Sequence, residues 1–294
     1  MRKVGIVTDS HSSISQDEAK KLGIWVLPMP FYIDEECYYE GTTLSREEFF
    51  DKLKSKQKLT TSQPSPAEVM GIWDEALKEC ETIVYIPISS GLSSSCATAT
   101  AFALEGDYEG KVFVVDNGRV ATPLHQTILD AIDLINIGKT AKEVKEILER
   151  MRDKMSIYIV VDDLAYLKRG GRINATTATL GTILNVKPIL RFDVGILDQY
   201  KKCRGVKAAK KAMLEAMKDE LETKFKEYYD KGQVRLLAAS SAGKEETDEW
   251  VNEIREAFGG VEVLCDDLSM GVSCHIGPGG LGIGCSCRPD ELHG

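Results

Sequence analysis

The sequence predicts a two-domain α/β protein, with a mainly parallel sheet flanked by helices at the N-terminus and an α+β domain with a mixed sheet at the C-terminus. In the first half, apolar strand-like runs alternate with amphipathic helical segments, which is typical of a parallel sheet covered by helices. The second half changes rhythm and contains a hairpin pattern. A length of 294 residues suits two domains. We place the boundary near Lys154, which gives domains 1–154 and 155–294.

Most helices of the first half begin with a capping signal. Ser15 precedes the first helix and Gly23 follows it. Capping boxes begin three later helices, at Ser45, Ser65 and Thr140, each with a glutamate three residues further on. The predicted strands span 4–8, 25–29, 83–88 and 112–116. The predicted helices span 16–22, 46–54, 68–81, 93–104, 123–137 and 141–153.

The second half alternates less regularly. Residues 187–192 and 194–197 form a predicted hairpin across Asp193. Further strands are predicted at 157–161, 235–239 and 261–264, and further helices at 206–225 and 245–258. The remaining segments are a short basic one at 165–172, an apolar one at 178–184 and a glycine-rich tail at 277–284, which is expected to end the fold.

Composition and charge exclude several classes of protein. Hydrophobic residues make up 43% and charged residues 28% of the chain, as in ordinary globular domains. The net charge of −9 argues against a general nucleic-acid surface, and no apolar stretch approaches the ~18 residues of a spanning helix. The first residues run into a predicted strand without signal-peptide anatomy. We therefore expect a cytoplasmic protein with no nucleic-acid partner and no stable membrane insertion.

Two loops rich in hydroxyl groups precede predicted helices. The first, 60–66, contains Thr61, Ser62 and Gln63 in addition to the Ser65 that caps the helix. The second, 88–95, contains five serines, which is more than a cap requires. Loops of this kind at helix N-termini bind anions or polar head groups. Because no catalytic base is obvious beside them, they favour one polar pocket that binds its ligand without chemistry.

Other polar residues allow a functional or a structural interpretation. Asp9 ends the first strand, where it either binds a metal or hydroxyl or caps a turn. Asp162 and Asp163 either hold magnesium or cap the next helix. His275, which we expect at a strand end beside glycines, either contacts a ligand or is structural. The G-x-G-x-x-G letters at 277–282 lack the strand, helix and acid of a dinucleotide site, so no nucleotide cofactor is predicted.

Cysteines and basic segments also leave alternatives. Cys274, Cys285 and Cys287 cluster in sequence with His275 and could bind zinc. Free, mostly buried thiols in a reducing compartment are the favoured interpretation, so no metal is predicted. The basic segments 168–172 and 201–204 would suit a phosphate-bearing ligand or an acidic partner, or are solvated surface charge.

Seven short motifs occur in order along the chain. They are Thr8-Asp9-Ser10, Thr61-Ser62-Gln63-Pro64-Ser65, Ile88-Ser89-Ser90-Gly91-Leu92-Ser93, Tyr166-Leu167-Lys168-Arg169-Gly170-Gly171-Arg172-Ile173, Leu184-Asn185-Val186-Lys187-Pro188-Ile189-Leu190, Arg204-Gly205 and His275-Ile276-Gly277-Pro278-Gly279. Each motif is weak alone, but the ordered set is strong. With it, the chain resembles the DegV family of bacterial fatty-acid-binding proteins nearly from end to end.

The resemblance implies two α/β domains with a long-chain fatty acid, such as palmitate, buried between or beneath them. It implies that Thr61 and Ser93 hold the carboxylate and that His275 lies near the head group. We place three further residues in that vicinity, Ser62, Ser90 and Gly91.

The resemblance also implies a partner. In the best-understood relatives, the bound fatty acid is offered to a separate fatty-acid kinase, which makes the acyl phosphate. This chain is therefore not expected to be an enzyme or to need a cofactor. Arg172 and Arg204 are then candidate contacts to phosphate or to the kinase. The alternative is a small-molecule phosphotransferase or other enzyme, motivated by the family's fold-level similarity to dihydroxyacetone-kinase domains and by Asp9, Asp162 and His275. A purely regulatory interaction protein is a third hypothesis.

Two segments depart from the family's pattern. Ser94-Ser95-Cys96 stands where Gly-Thr-Tyr is usual, and 117–122 replaces serine and small residues. Both departures are expected to alter pocket shape and acyl preference while leaving Thr61 and Ser93 in place. A fatty acid is physically reasonable, because burying about fourteen methylenes yields on the order of 11 kcal/mol before association costs. Its carboxylate still requires hydrogen-bond donors when it leaves water.

Overall fold

The structure is a computed structural model that describes residues 1–55, 57–173, 186–193 and 195–293. These residues form a four-stranded, a six-stranded and a three-stranded sheet, with helices around and between them. The predicted α/β fold class is confirmed. The predicted apolar segment 178–184 lies outside the described residues. None of the helices in the described ranges combines the length and apolar character that crossing a membrane requires.

The elements are numbered in chain order. The strands are β1 Arg2–Asp9, β2 Trp25–Leu27, β3 Pro30–Ile33, β4 Glu36–Tyr39, β5 Leu59–Thr61, β6 Cys80–Ile86, β7 Val112–Val114, β8 Met155–Val160, β9 Val186–Asp193, β10 Ile196–Arg204, β11 Val234–Ser240, β12 Val263–Asp267 and β13 Leu281–Cys287. The helices are α1 Gln16–Leu22, α2 Arg46–Lys54, α3 Pro66–Leu77, α4 Ser95–Ala103, α5 Ala121–Asn136, α6 Ala141–Arg150, α7 Ala165–Gly170, α8 Val206–Glu222, α9 Lys226–Asp230, α10 Lys244–Ala257 and α11 Met270–Ile276. Short 3₁₀ turns occupy Ser10–Ser12, Gly106–Tyr108 and Asp290–Leu292.

The N-terminal sheet has the predicted parallel arrangement. Its strand order is β2-β1-β6-β7, and every pair is parallel. Helices α5 and α6 cover one face, and α3 and α4 cover the other. The capping boxes at Ser45, Ser65 and Thr140 are all formed, so these three helix starts are confirmed.

A third, antiparallel sheet was not predicted. It has the order β4-β3-β5, and together with α2 it forms a unit that we call the cap. Phe31 and Phe49 of the cap pack against Met270 and Cys274 of α11. The sequence pattern missed the three strands of the cap because strand periodicity comes from burial on one face. Strand β4 has no fully buried residue and therefore no such pattern.

The six-stranded sheet is mixed, as predicted, with the order β10-β9-β8-β13-β11-β12. Only the β11–β12 pair is parallel. The predicted hairpin is confirmed as β9 and β10, although β10 continues to Arg204 past a register shift at Gln199. Helices α8 and α10 pack on one face of this sheet. The predicted domain boundary near Lys154, immediately before β8, stays a prediction.

The glycine-rich tail contains the last strand of the fold, which was not predicted. Its second half is β13, a central strand that pairs antiparallel with both β8 and β11. Leu281, Ile283 and Cys285 pack into the core beneath α8 and α10. The alternate residues Gly282 and Gly284 leave the opposite face of the strand without side chains. Because glycine lowers strand propensity, the sequence pattern did not indicate a strand here. The two glycines line a cavity, which is described below.

Candidate functional site

A large cavity lies on the face of the six-stranded sheet opposite α8 and α10, beside α11 and the N-terminal turn of α5. It encloses about 1050 Å³ of atom-free space, including the part that opens to solvent. One end is polar and is lined by His11, Thr61, Ser62, Ser93, Arg172 and His275. The remainder is mainly apolar, with Ile157, Ile159, Phe192, Leu197, Leu237 and Leu268 among its lining residues.

The centre of the polar end is a contact between the cap and α11. Thr61 ends β5, and its Oγ1 lies 2.9 Å from Nε2 of His275. The capping box of Ser65 and Glu68 fixes the following helix start, as predicted. The side-chain oxygen of Gln63 accepts a hydrogen bond from Thr98, so Gln63 braces the loop. The structure thus brings Thr61 and His275 together. Ser62 lines the same cavity, but it is exposed and its hydroxyl donates to the carbonyl of Gln63.

The position of His275 differs from the prediction. It lies in the last turn of α11 and not at a strand end. Its ring packs so tightly on Gly170 that a Cβ at that glycine would lie 1.8 Å from Nδ1. Burial, with the nearby positive charges of Arg172 and His11, lowers the pKa of His275 to about 4. The imidazole is therefore neutral near pH 7 and can exchange a hydrogen bond with Thr61.

The serine loop divides between the cavity and the surface. Ser93 lines the cavity, and its Oγ lies 2.9 Å from that of Ser95. Ser90 is exposed, and its hydroxyl donates to Asp116 at 2.5 Å. Gly91 packs against the backbone of Gly195, where a Cβ would lie 2.4 Å from the neighbouring Cα. Of the predicted residues in this loop, the structure brings Ser93 to the polar end. It places Ser90 and Gly91 in other contacts.

The carboxylates considered as catalytic or metal-binding groups have structural partners. Both oxygens of Asp9 accept backbone N–H groups, one from His11 and one from Ile88. Asp163 accepts from Ala165 N at the start of α7, and Asp162 pairs with a lysine. Turn and helix capping were the structural alternatives for Asp9 and Asp163. Both carboxylates named for an enzymatic alternative, Asp9 and Asp162, are therefore held by structural partners.

The cysteines of the zinc alternative lie apart. Cys274 packs in the core between α11 and the cap, whereas Cys285 and Cys287 pack beneath α8 and α10. Within the described ranges, no group of three or more His, Cys, Asp or Glu side chains could hold a metal ion. Burial raises the pKa of Cys274 and of Cys287 to about 12, so both remain thiols.

The basic residues lie along the edge of the sheet where β8 ends. Arg172 is exposed at the rim of the polar end, and its guanidinium donates to Gly170 O and Leu92 O. Arg169 stacks over the ring of Tyr166 with 4.7 Å to the centroid. Arg204 is exposed at the end of β10, paired in register with the first residue of β9. Arg172 alone of these arginines lines the cavity among the described residues.

Of the two departures from the family pattern, the second lines the cavity, and the first contacts a residue that does. Ser95 contacts Ser93, and residues 120–122 form the wall where α5 begins. Ala121 has a left-handed φ of 54°, an uncommon conformation for a residue with a side chain. The guanidinium of Arg119 is fully buried and donates to Ser286 of β13 at 2.7 Å. These contacts tie α5 to the six-stranded sheet, whereas the effect on acyl preference stays a prediction.

Two parts of the cavity were missed in the sequence. His11 lines the polar end, and Gly282 and Gly284 of β13 form part of the apolar wall. The signal for His11 was its place directly after a buried strand that ends in Asp9, where α/β proteins hold ligands. No local signal showed that the glycine tail faces a cavity.

Comparison with known proteins gives a consistent result. The family model described as "Uncharacterised protein, DegV family" matches residues 3–287. The chain is 30% identical over 286 residues to a DegV domain-containing protein of Halalkalibacterium halodurans, covering 96% of this chain and 98% of that protein. It is likewise 30% identical to Protein DegV of Bacillus subtilis, covering 97% and 99%.

Solved structures agree with these matches. A DegV family protein of Thermus thermophilus, described by its fatty-acid binding, superposes with a TM-score of 0.85 at 30% identity, covering 98% of this chain and 100% of that one. DegV of Bacillus subtilis, described as a fatty acid binding protein, gives 0.83 at 27% identity, with coverage of 98% and 100%. Both descriptions are of binding proteins, in agreement with the expectation that this chain is not an enzyme.

Proposed function

This chain belongs to the DegV family, and from that premise we propose that it binds a long-chain fatty acid in its cavity. The carboxylate lies at Thr61 and Ser93, and the acyl chain lies against the six-stranded sheet. The observation that carries the proposal is the division of one cavity into a hydroxyl- and imidazole-lined end and an apolar remainder. This division matches the two chemical parts of a fatty acid.

The energetics assign a role to each part. The apolar wall supplies most of the affinity, because each buried methylene contributes about 0.8 kcal/mol. The hydroxyl groups of Thr61 and Ser93 offset the cost of removing a carboxylate from water. His275 is neutral and hydrogen-bonded to Thr61, so it orients the threonine hydroxyl.

Ligand extraction and binding measurements test this function. Purified protein should release a long-chain fatty acid on extraction, identified by mass spectrometry, and should rebind palmitate after delipidation. The double variant Thr61→Val with Ser93→Ala should bind palmitate at least about tenfold more weakly. Each hydrogen bond to a charged group, here the carboxylate, contributes about 1.5–3 kcal/mol. The matched control, Thr60→Val with Ser94→Ala, changes exposed neighbours and should bind normally. Protein that arrives lipid-free and does not bind palmitate would contradict the proposal.

We further propose that the protein presents its fatty acid to a separate fatty-acid kinase, which forms the acyl phosphate. Arg172 supports this step because it is exposed at the rim of the polar end. Arg204 lies on the same edge of the six-stranded sheet. Both arginines can pair with a phosphate or with an acidic surface of the kinase.

A cytoplasmic location also stays a prediction.

A reconstituted kinase reaction tests the presentation step. Palmitate-loaded protein, ATP and a purified bacterial fatty-acid kinase catalytic subunit should yield acyl phosphate, trapped as the hydroxamate. At saturating palmitate, Arg172→Glu and Arg204→Glu should each slow its formation at least about tenfold, because charge reversal repels a complementary surface. Arg255→Glu on α10 is the control and should react at the normal rate. Equal rates for all four proteins would show that these arginines do not contact the kinase.

A further inference from the structure

His11 is a polar side chain of the cavity that the resemblance does not assign. It lies in the 3₁₀ turn that follows β1, and only 7% of its surface is exposed. Its ring lines the same cavity as Thr61, Ser93 and His275. A buried histidine at the polar end of the cavity requires a partner, and Asp9 lies close enough to be that partner.

Asp9 fixes His11 from behind. One carboxylate oxygen of Asp9 accepts the backbone N–H of His11 at 3.0 Å, and the other accepts Ile88 N at 2.8 Å. The same Asp9 Oδ1 lies 3.5 Å from Nδ1 of the His11 ring. Asp9 is fully buried, and backbone groups hold both of its oxygens. It therefore cannot turn towards a ligand. It can only orient the imidazole and favour its protonated form.

Helix α11 sets the distance between the two histidines of the cavity. A Cβ at Gly271 would lie 2.5 Å from Nε2 of His11, so this ring packs directly on the helix at that position. His275 is four residues further on, which is one helical turn and about 6 Å along the same face. A carboxylate can therefore sit between His11 and the Thr61–His275 pair, with one oxygen towards each.

The charged groups around His11 favour its cationic form. Burial opposes protonation, but Asp9, with a contribution from Glu40 behind β4, raises the pKa of His11 above its ordinary value of 6.5. Arg172, after α7, acts in the opposite direction. From α11, His275 is neutral because its pKa is lowered. The first titratable residue of α5, His125, bonds to Asp266 instead.

We propose that His11, held by Asp9, is a further residue that binds the ligand's head group. It adds a buried positive charge beside the hydroxyl groups of Thr61 and Ser93, whereas Arg172 is exposed at the rim. This inference rests on the proposed fatty-acid function. It adds a charged contact, which makes the site selective for carboxylates over neutral lipids of the same length. It also makes binding depend on pH, because the contact is lost when His11 deprotonates.

The test is the affinity for dodecanoate and for dodecanol, measured between pH 6.5 and 9. Dodecanoate is ionised throughout this range, since carboxyl groups titrate near pH 4. In the wild type, affinity for dodecanoate should fall about tenfold as pH rises through the pKa of His11, whereas affinity for dodecanol should stay constant. His11→Gln should bind dodecanoate weakly and evenly across the range. His125→Gln is the matched control, because His125 is also paired with an aspartate and also has a raised pKa.

Proton uptake provides a second readout that needs no variant. Calorimetry in two buffers of different ionisation enthalpy should show that the wild type takes up a proton when it binds dodecanoate above pH 6.5. An unchanged profile in His11→Gln, or dodecanoate binding without proton uptake, would overturn the role of His11 and leave fatty-acid binding intact. Failure of the wild type to bind dodecanoate or palmitate at any pH would instead overturn both proposals.

Discussion

The two ends of the cavity are built in different ways. The polar end takes single residues from separate segments: the end of β5, the turn after β1, the loop before α4 and the last turn of α11. The apolar wall comes largely from regular elements, chiefly the six-stranded sheet and the start of α5. The difference suggests that a few side chains orient the ligand and select its charge, whereas a rigid surface supplies the binding energy.

Ligand length gives the largest expected effect on this comparison. Each methylene removed from the acyl chain should lower the affinity about fourfold, because it forfeits about 0.8 kcal/mol of burial. Octanoate should therefore bind at least about 10⁴-fold more weakly than palmitate. Displacement of a fluorescent fatty acid across a series of chain lengths measures the slope. Similar affinities for both acids would mean that the polar end, and not the wall, dominates binding.

Removal of Arg119 tests the wall where α5 begins. Its guanidinium donates to Thr127, Ser286 and the carbonyl of Met151, all within 3.0 Å. Arg119→Ala should lower the free energy of unfolding by about 3 kcal/mol, because a large buried side chain and three hydrogen bonds are lost. Denaturant unfolding measures this change. The exposed Arg255→Ala should stay within about 0.5 kcal/mol of the wild type.

The glycines of β13 test how far the wall limits the acyl chain. At Gly282 an added Cβ would meet the carbonyl oxygen of Ala239 at 3.3 Å, so a larger side chain needs only a small shift of the strand. Gly282→Val should occupy part of the cavity and weaken palmitate binding by tenfold or more, with a smaller loss for decanoate. Gly71→Val, on the exposed face of α3, is the control and should bind both normally. Equal losses for palmitate and decanoate in Gly282→Val would show that Gly282 does not border the acyl chain.

The sequence predicted the parallel sheet and the helix starts well, because both leave local patterns. The boxes at Ser45, Ser65 and Thr140 each need only two residues, three positions apart. The three strands of the cap and β13 left no such pattern. Strand β4 buries none of its residues fully, and β13 reads as a loop because its glycines face a cavity. Both features depend on contacts between distant segments.

The candidate site, like the fold, was predictable only where it leaves a local pattern in the sequence. The loop 60–66 indicated Thr61 because it contains more polar side chains than a helix cap requires. The partner of Thr61, His275, is 214 residues away in sequence, and only the packing of the cap on α11 joins them. His11 was missed because the value of a lone histidine depends on its neighbours, here Asp9 behind it and Gly271 in front.

The smallest expected effect concerns the support of Thr61. Ser65→Ala removes the cap of α3 and should cost about 1 kcal/mol of stability. Burial opposes it, but hydrogen bonds from Ser65 and Tyr39 lower the pKa of Glu68 below its ordinary 4.5. The depressed pKa means that this contribution is present above about pH 4.5 and is lost as pH falls below it. Urea unfolding at pH 7 and pH 4 should therefore show a smaller difference between variant and wild type at the lower pH.

Thr140→Ala provides a control that separates stability from ligand binding. It removes the same capping box from α6, which has no residue in the cavity among those described. Both variants should lose similar stability, but only Ser65→Ala should weaken palmitate binding, by about threefold, because the helix start no longer holds the loop after Thr61. An equal affinity in both variants would mean that β5 positions Thr61 without help from α3. In that case the three-stranded sheet of the cap would position the polar end, just as the six-stranded sheet forms the apolar wall.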